Sequence, residues 1–162
     1  MHIRTWQAAY RGQLPDTYLE ALNDELEART ARWQGLIAEA QARRWVQLVA
    51  EADERVIGFV TFGPSEGESN EPQIGEVYAI YVDPMYWSRG YGRDLFAAAT
   101  RGLAEAGFTV ATLWVLETNT RARRFYAIAG WMADGATKTD HRGDVELREV
   151  RYRRSFSRGA SS

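Results

Sequence analysis

The residues best suited to chemistry lie in the segment Val82–Asp94, which reads VDPMYWSRGYGRD. It runs from the end of an apolar stretch through Gly90 and Gly92 into the start of a helix. Glycines let the main chain approach a ligand closely, and the first free amides of a helix carry a partial positive charge. Arg89 and Arg93 add full charges. The pattern predicts an anion site that suits a phosphate or a diphosphate.

The same two glycines also fit a tight loop that needs them for turn geometry alone. The segment is not a Walker loop, since no Gly-Lys-Ser/Thr follows, and it lacks the three spaced glycines of a dinucleotide fingerprint. Spacing alone therefore leaves a phosphate site and a structural turn both open.

The elements around this segment predict an α/β domain with a mixed sheet. Glu76–Val82 is apolar on both alternations after Glu76, which is typical of a central strand covered on both faces. Leu95, Phe96, Ala99 and Leu103 mark one face of the helix that follows. The other predicted elements are a helix-rich stretch at Leu14–Ala42, a hairpin of Trp45–Ala50 and Val56–Phe62, a loop at Gly63–Gln73, a strand at Thr109–Leu116, a helix capped by Thr118 or Asn119 that ends at Gly130, and closing strands at Trp131–Lys138 and Val145–Arg154.

The length and amino-acid composition exclude several classes of protein. The 162 residues suit one domain, which we assign to 1–155, followed by a flexible tail at 156–162. Cysteine is absent, which excludes disulfides, thiol nucleophiles and cysteine-ligated metals. No apolar run approaches the roughly 20 residues of a membrane span, and no signal-peptide core is found. The net charge of −2 favours neither nucleic acid nor an anionic membrane. We expect a soluble, cytoplasmic protein.

Three motifs together resemble the GNAT superfamily of N-acetyltransferases. Arg89-x-x-Gly92 is similar to the superfamily's acyl-CoA-binding motif, although Asp94 stands where glycine or alanine is usual. The segment Leu113–Trp131 resembles the later strand–helix module N-x-x-A-x-x-F-Y-x-x-x-G. The opening Trp6–Pro15 resembles the acceptor-side helix and loop of many bacterial members. The resemblance covers nearly the whole chain.

The resemblance implies a mostly antiparallel sheet flanked by helices on both faces. Members usually begin with an edge strand, and this sequence starts almost in the helix that follows it, so we expect the first strand to be missing. An edge left exposed at the hairpin would then be a surface for homodimerisation.

The resemblance also implies transfer of an acetyl group from acetyl-CoA to a primary amine, with no metal. Tyr126 matches the general acid for the leaving thiol, and Glu76 is our candidate for the base, with Glu117 in reserve. The main chain of Ile80–Val82 would stabilise the oxyanion and pair with the pantetheine arm. The predicted cofactor-binding residues are Ile80, Tyr81, Val82, Arg89, Gly90, Tyr91, Gly92, Arg93, Asp94, Asn119 and Tyr126.

Several alternatives stay open at this point. Tyr126 also suits core packing, Glu76 a solvated strand start, and Asn119 a simple helix cap.

Asp94 and the missing strand motivate a second hypothesis for the function, a non-catalytic acyl-CoA sensor or interaction module. A third, nucleic-acid binding through the basic end Arg148–Arg158, lacks any base-reading motif. Trp6, Tyr10 and Arg11 either line the acceptor pocket or pack, and the two histidines, His2 and His141, form no metal-binding spacing. The identity of the amine is not predicted.

Overall fold

The computed structural model describes residues 2–24, 26–40, 42–65, 74–142 and 144–156. In chain order the elements are α1 (His2–Tyr10), α2 (Asp16–Ala21), α3 (Leu26–Glu39), β1 (Val46–Ala52), β2 (Arg55–Pro64), β3 (Ile74–Val82), a short 3-10 helix (Pro84–Tyr86), α4 (Tyr91–Glu105), β4 (Val110–Leu116), α5 (Thr120–Ile128), β5 (Met132–Arg142) and β6 (Val145–Ser155). Of the predicted loop Gly63–Gln73, residues 66–73 lie outside the described residues, as do residues 157–162 of the predicted tail. Phe156, the first tail residue, donates its N–H to the carbonyl of Thr109.

The six strands form one sheet in the order β1-β2-β3-β4-β6-β5. Every neighbouring pair is antiparallel except β3 and β4, which α4 connects in parallel. The predicted fold class, a mixed and mostly antiparallel sheet, is therefore confirmed, and β3 is the central strand that its apolar pattern indicated. In the described part of the chain α1 precedes β1, and β1 is an edge strand on which Val46 and Val49 are exposed.

Helices cover both faces of the sheet. On one face, α4 buries Leu95, Phe96, Ala99 and Leu103, the predicted apolar positions, against β2, β3 and β4. On the other, α1 and α2 pack Ile3, Leu19 and Leu22 around Leu116 and Leu147. Of the helices that the structure describes, none is long and apolar enough to cross a membrane.

The sheet splits between its two central strands. The β3–β4 ladder joins only Ile74 to Val110, Gly75 to Ala111 and Glu76 to Thr112. Beyond these pairs β3 continues along β2 and β4 continues along β6, so the two strands diverge. A bulge in β3 increases its twist at this point, because Phe62 pairs with Val77 while Thr61 pairs with Ala79, which leaves Tyr78 unmatched. We call this opening the fork.

Candidate active site

A cavity of about 860 Å³ fills the fork. One bank is the second half of β3 with the turn into α4, and the other is the end of β4 with α5. At one end the wall includes Gly90, Gly92 and Arg93 at the start of α4. At the far end it is closed by the last turn of α1 and by β5 and β6. The fold thus brings segments from most of the chain to one opening between two strands.

The main chain of β3 presents polar groups to this cavity. The Asp83 N–H donates to the carbonyl of Ile57 (2.7 Å), so Asp83 and, two residues earlier, Tyr81 direct their main-chain groups toward β2. Ile80 and Val82 lie between and point theirs into the fork. The Val82 carbonyl already accepts from the indole N–H of Trp87 (2.7 Å). The Ile80 groups and the Val82 N–H have no strand partner among the described residues, and Tyr81 contributes its side chain to the wall.

The start of α4 has the geometry of an anion site. Gly90 is the N-cap with φ +94°, a left-handed conformation that favours glycine. The first intrahelical bond runs from the Asp94 N–H to the Gly90 carbonyl (3.0 Å), so the N–H groups of Tyr91, Gly92 and Arg93 have no partner within the helix. A Cβ on Gly92 would meet only Val82, at 3.7 Å, so this turn is open toward the cavity.

Asp94, the departure from the usual motif, does not fill this turn. Its carboxylate is 71% exposed and pairs with Arg93 (3.2 Å). Its amide belongs to the helix, and Asp94 is not part of the cavity wall. Arg89 is also outside the wall and lies over the ring of Tyr86, 5.4 Å from its centroid.

Asn119 joins two helices. Its side-chain oxygen accepts from the Ala122 N–H (3.1 Å), which makes it the predicted N-cap of α5. Its side chain also lies beside Tyr10 on α1. Burial raises the pKa of Tyr10, with smaller contributions from neighbouring groups that include Tyr81, and the Asn119 side chain opposes the rise. Asn119 is thus buried where α1 and α5 meet at the fork.

Tyr126 lies on α5 with its ring in the core and its hydroxyl at the cavity. The residue is 8% exposed and packs against Phe96 and Phe125. No hydrogen bond among the described residues involves its hydroxyl. Burial raises the pKa of Tyr126, and the nearby phenol of Tyr81 adds to the rise. Tyr126 therefore packs in the core and also lines the cavity, and its role as the acid stays a prediction.

The two candidate carboxylates are outside the wall. Glu76 is the last β3 residue paired with β4, and its carboxylate accepts from the hydroxyl of Ser65 (3.0 Å). Its register partner is Thr112, which shares a sheet face with Trp114, a wall residue two positions along β4. Glu76 therefore lies on the sheet face that α1 and α2 cover, beyond the closed end of the fork. Glu117 pairs instead with Arg148 (3.3 Å).

Sequence reasoning missed a contact that spans the cavity. The guanidinium of Arg121 lies 3.8 Å from the centroid of the Trp87 ring, a cation–π distance. Trp87 belongs to the β3 bank and Arg121 to α5 on the other bank, and both line the cavity. The sequence shows aromatic and basic residues in both segments, but nothing in their spacing indicated that Trp87 and Arg121 are in contact.

Most arginines of the basic end have intramolecular partners. Arg148 pairs with Glu117 (3.3 Å), Arg151 with Asp134 (2.6 Å), and Arg154 donates to the Ala129 carbonyl (2.9 Å). Because these side chains are engaged within the domain, β6 does not present them as a continuous basic stripe.

An α/β domain with a forked sheet and a helix N-terminus facing the fork is the class that the fold and the site define. The model of the acetyltransferase (GNAT) family matches residues 4–131, and the chain belongs to this family. An uncharacterized N-acetyltransferase, YuaI of Bacillus subtilis, is 32% identical over 122 residues, which cover 74% of this chain and 64% of that protein. The chain thus spans less than two thirds of this relative.

Solved structures share the fold. PaiA N-acetyltransferase from Thermoplasma acidophilum, in complex with coenzyme A, has a TM-score of 0.69 at 18% identity and covers 95% of this chain and 87% of its own. YncA from Salmonella typhimurium, a putative acetyltransferase with acetyl-CoA, has a TM-score of 0.67 at 19% identity and covers 82% and 76%. The resemblance inferred from the motifs is confirmed.

Proposed function

We propose that the protein is an N-acetyltransferase that moves the acetyl group of acetyl-CoA directly to a primary amine while both are bound. The observation that carries the proposal is the fork. Its cavity runs from the open start of α4, past the unpaired main chain of β3, to the hydroxyl of Tyr126. Membership of the acetyltransferase family supports the same function.

The chain offers groups suited to each part of the cofactor. The N–H groups of Tyr91, Gly92 and Arg93 would hold the diphosphate, with the Arg93 guanidinium adding charge. The main chain of Ile80 and Val82 would bind the pantetheine arm as an added strand. Acetyl-CoA supplies a thioester whose carbonyl carbon the amine attacks.

The transfer makes one bond and breaks one. The amine nitrogen bonds to the carbonyl carbon, and the carbon–sulfur bond then breaks. While the carbonyl oxygen carries negative charge, a main-chain N–H of β3 would stabilise it. Tyr126 would donate its proton to the departing sulfur and regain one from solvent, and the proton of the amine would leave through water toward Glu76. The role of Glu76 stays a prediction.

Substitution of Tyr126 by phenylalanine tests this function. Acid catalysis contributes roughly 100-fold to 10,000-fold, so we expect kcat for Tyr126→Phe to fall about 100-fold or more. The dissociation constant of acetyl-CoA, measured by calorimetry, should change less than about 2-fold because the ring is retained. Thiol release with a broad panel of amines gives the rate. Tyr152→Phe, which removes the hydroxyl of a neighbouring buried tyrosine, is the control and should stay near wild type.

The pH profile of the wild-type enzyme gives a second readout on Tyr126. Because the pKa of Tyr126 is raised above its usual value of about 10, the acid keeps its proton throughout the range from pH 8 to 10. The wild-type kcat should therefore not decline across that range through loss of this acid.

Full activity of Tyr126→Phe would remove the proposed role of Tyr126 as the acid. Binding of acetyl-CoA without turnover of any amine would favour the non-catalytic acyl-CoA module instead.

A further inference from the structure

The two ends of the cavity carry opposite kinds of side chain. The cationic residues of its wall are Arg93, Arg121 and Arg124, all on α4 or α5. The end formed by the last turn of α1 with β5 and β6, which we call the acceptor end, holds instead Tyr10, Gln13, Asp140, Leu147 and Glu149. Within the described residues, no lysine or arginine lines this end. An acceptor entering here meets aromatic rings and carboxylates.

Glu149 is the carboxylate whose surroundings are best defined. It is 25% exposed and pairs with Lys138 (3.2 Å), a half-exposed residue on β5 that is outside the wall. Lys138 also lies 4.5 Å from the ring centroid of Trp114, which holds its ammonium group against the sheet. Glu149 is close enough to Tyr10 to contribute to the raised pKa of that hydroxyl. Glu149 thus lines the cavity itself, whereas Lys138, which partly offsets its charge, does not.

The groups that would meet the amine itself are neutral. The hydroxyl of Tyr126, in a residue that is more than nine-tenths buried, opens into the cavity without a hydrogen-bond partner among the described residues. Tyr10 contributes a second phenol, which lies beside Asn119. The indole N–H of Trp6 donates to the hydroxyl of Tyr81 (3.0 Å), which fixes two further aromatic wall residues. These rings suit an uncharged or cationic body.

We propose that the acceptor is a primary amine whose body carries no carboxylate, and that Glu149 and Asp140 reject aminocarboxylates at the acceptor end. The proposal rests on the acetyltransferase function and names the substrate class of that site. A carboxylate on the acceptor would lie near the carboxylates of Glu149 and Asp140 in a partly desolvated cavity, while the arginines of the described wall lie on α4 and α5. An amide, an ammonium group or a hydrocarbon in the same place avoids this repulsion.

Matched acceptor pairs test the proposal. Each pair differs only in a remote carboxylate against its carboxamide: 5-aminopentanoate and 5-aminopentanamide, 4-(aminomethyl)benzoate and its benzamide, and a short peptide with a free or an amidated C-terminus. The charge is far from the amine, so the fraction of free base is nearly equal within a pair. We expect kcat/KM for the carboxamide to exceed that for the carboxylate by about 10-fold or more. The ratio should shrink as salt is added, because screening weakens the repulsion.

Two variants assign the effect to the wall. Glu149→Gln should reduce the carboxamide-to-carboxylate ratio by at least about 3-fold, since it removes a negative charge and leaves Lys138 unpaired. Glu146→Gln, an exposed residue of the same strand outside the wall, should leave the ratio unchanged. A ratio near 1 in the wild type, or a ratio unaffected by Glu149→Gln, overturns the proposal. The acetyltransferase function would survive that result as long as the carboxamides are acetylated.

If no acceptor of the panel is turned over, the same pairs are compared as ligands by calorimetry on the CoA-loaded protein. Tighter binding of the carboxamide supports the proposal. Equal or tighter binding of the carboxylate, or no binding of either member of any pair, overturns it. Failure of acetyl-CoA itself to bind is a separate result that would count against the proposed function.

Discussion

The two ends of the cavity are built in different ways. The end that we propose for acetyl-CoA, which we call the cofactor end, uses main-chain groups of one continuous segment, from Ile80 on β3 to Arg93 in the first turn of α4. The acceptor end uses side chains from α1, β5 and β6, which lie far apart in the sequence and meet only in the folded sheet. The first arrangement should depend on the absence of side chains at the glycines. The second should depend on which polar tips the side chains carry.

The largest expected effect tests the main-chain character of the cofactor end. In Gly92→Val the added Cβ has room, so the fold should persist, but the branched side chain would cover the open first turn of α4. We expect the dissociation constant of acetyl-CoA to rise about 100-fold, measured by calorimetry, because the diphosphate loses access to the free amides. Ala97→Val, at an exposed position of the same helix, adds the same branched side chain away from the cavity at a helix-propensity cost below about 1 kcal/mol, and should bind normally.

Unchanged affinity in Gly92→Val would mean that the cofactor does not use this turn, and the contrast between the two ends would fail. A loss of folding in both valine variants, seen by circular dichroism, would show that α4 as a whole, and not only its first turn, does not tolerate valine.

The same contrast explains how far the sequence alone could lead. The central strand, Gly90 and Gly92, the Asn119 cap and the final Gly130 were predictable, because each depends on local dihedral angles, caps and the alternation of apolar residues. Glu149 was not identified, because only the pairing of β6 in the folded sheet brings it near Tyr10. The orientation of Asp94 was also beyond sequence reasoning, since its ion pair with Arg93 depends on side-chain rotamers.

An intermediate effect is expected at the acceptor end. Tyr10→Phe removes a hydroxyl of a wall residue that lies beside the buried Asn119 side chain. One lost hydrogen bond to the acceptor costs about 1 kcal/mol, so we expect the acceptor KM to rise about 5-fold in steady-state thiol release. The affinity for acetyl-CoA should stay within about 2-fold of wild type, since Asn119 keeps its cap bond to Ala122. Tyr18→Phe on α2, outside the wall, makes the same chemical change and should have neither effect.

If Tyr10→Phe weakened acetyl-CoA binding as much as acceptor binding, the two ends would be coupled through Asn119 instead of separate. The cofactor site would then extend through that residue to α1.

The smallest expected effect concerns Asp94, the residue that departs from the family motif. Its carboxylate and the Arg93 guanidinium are both more than 70% exposed, and an ion pair of that kind contributes little to stability. Asp94→Ala removes an acid from the first turn of α4, which should cost about 0.5 kcal/mol through the helix dipole. It also releases Arg93 and removes a negative charge near the diphosphate. Acetyl-CoA should therefore bind slightly tighter, by less than about 3-fold, with the difference disappearing at high salt. Calorimetry at two salt concentrations measures the dissociation constant of acetyl-CoA. A 10-fold change of this constant in either direction would mean that the Asp94 carboxylate reaches the first turn of α4. The main chain alone would then no longer account for the cofactor end.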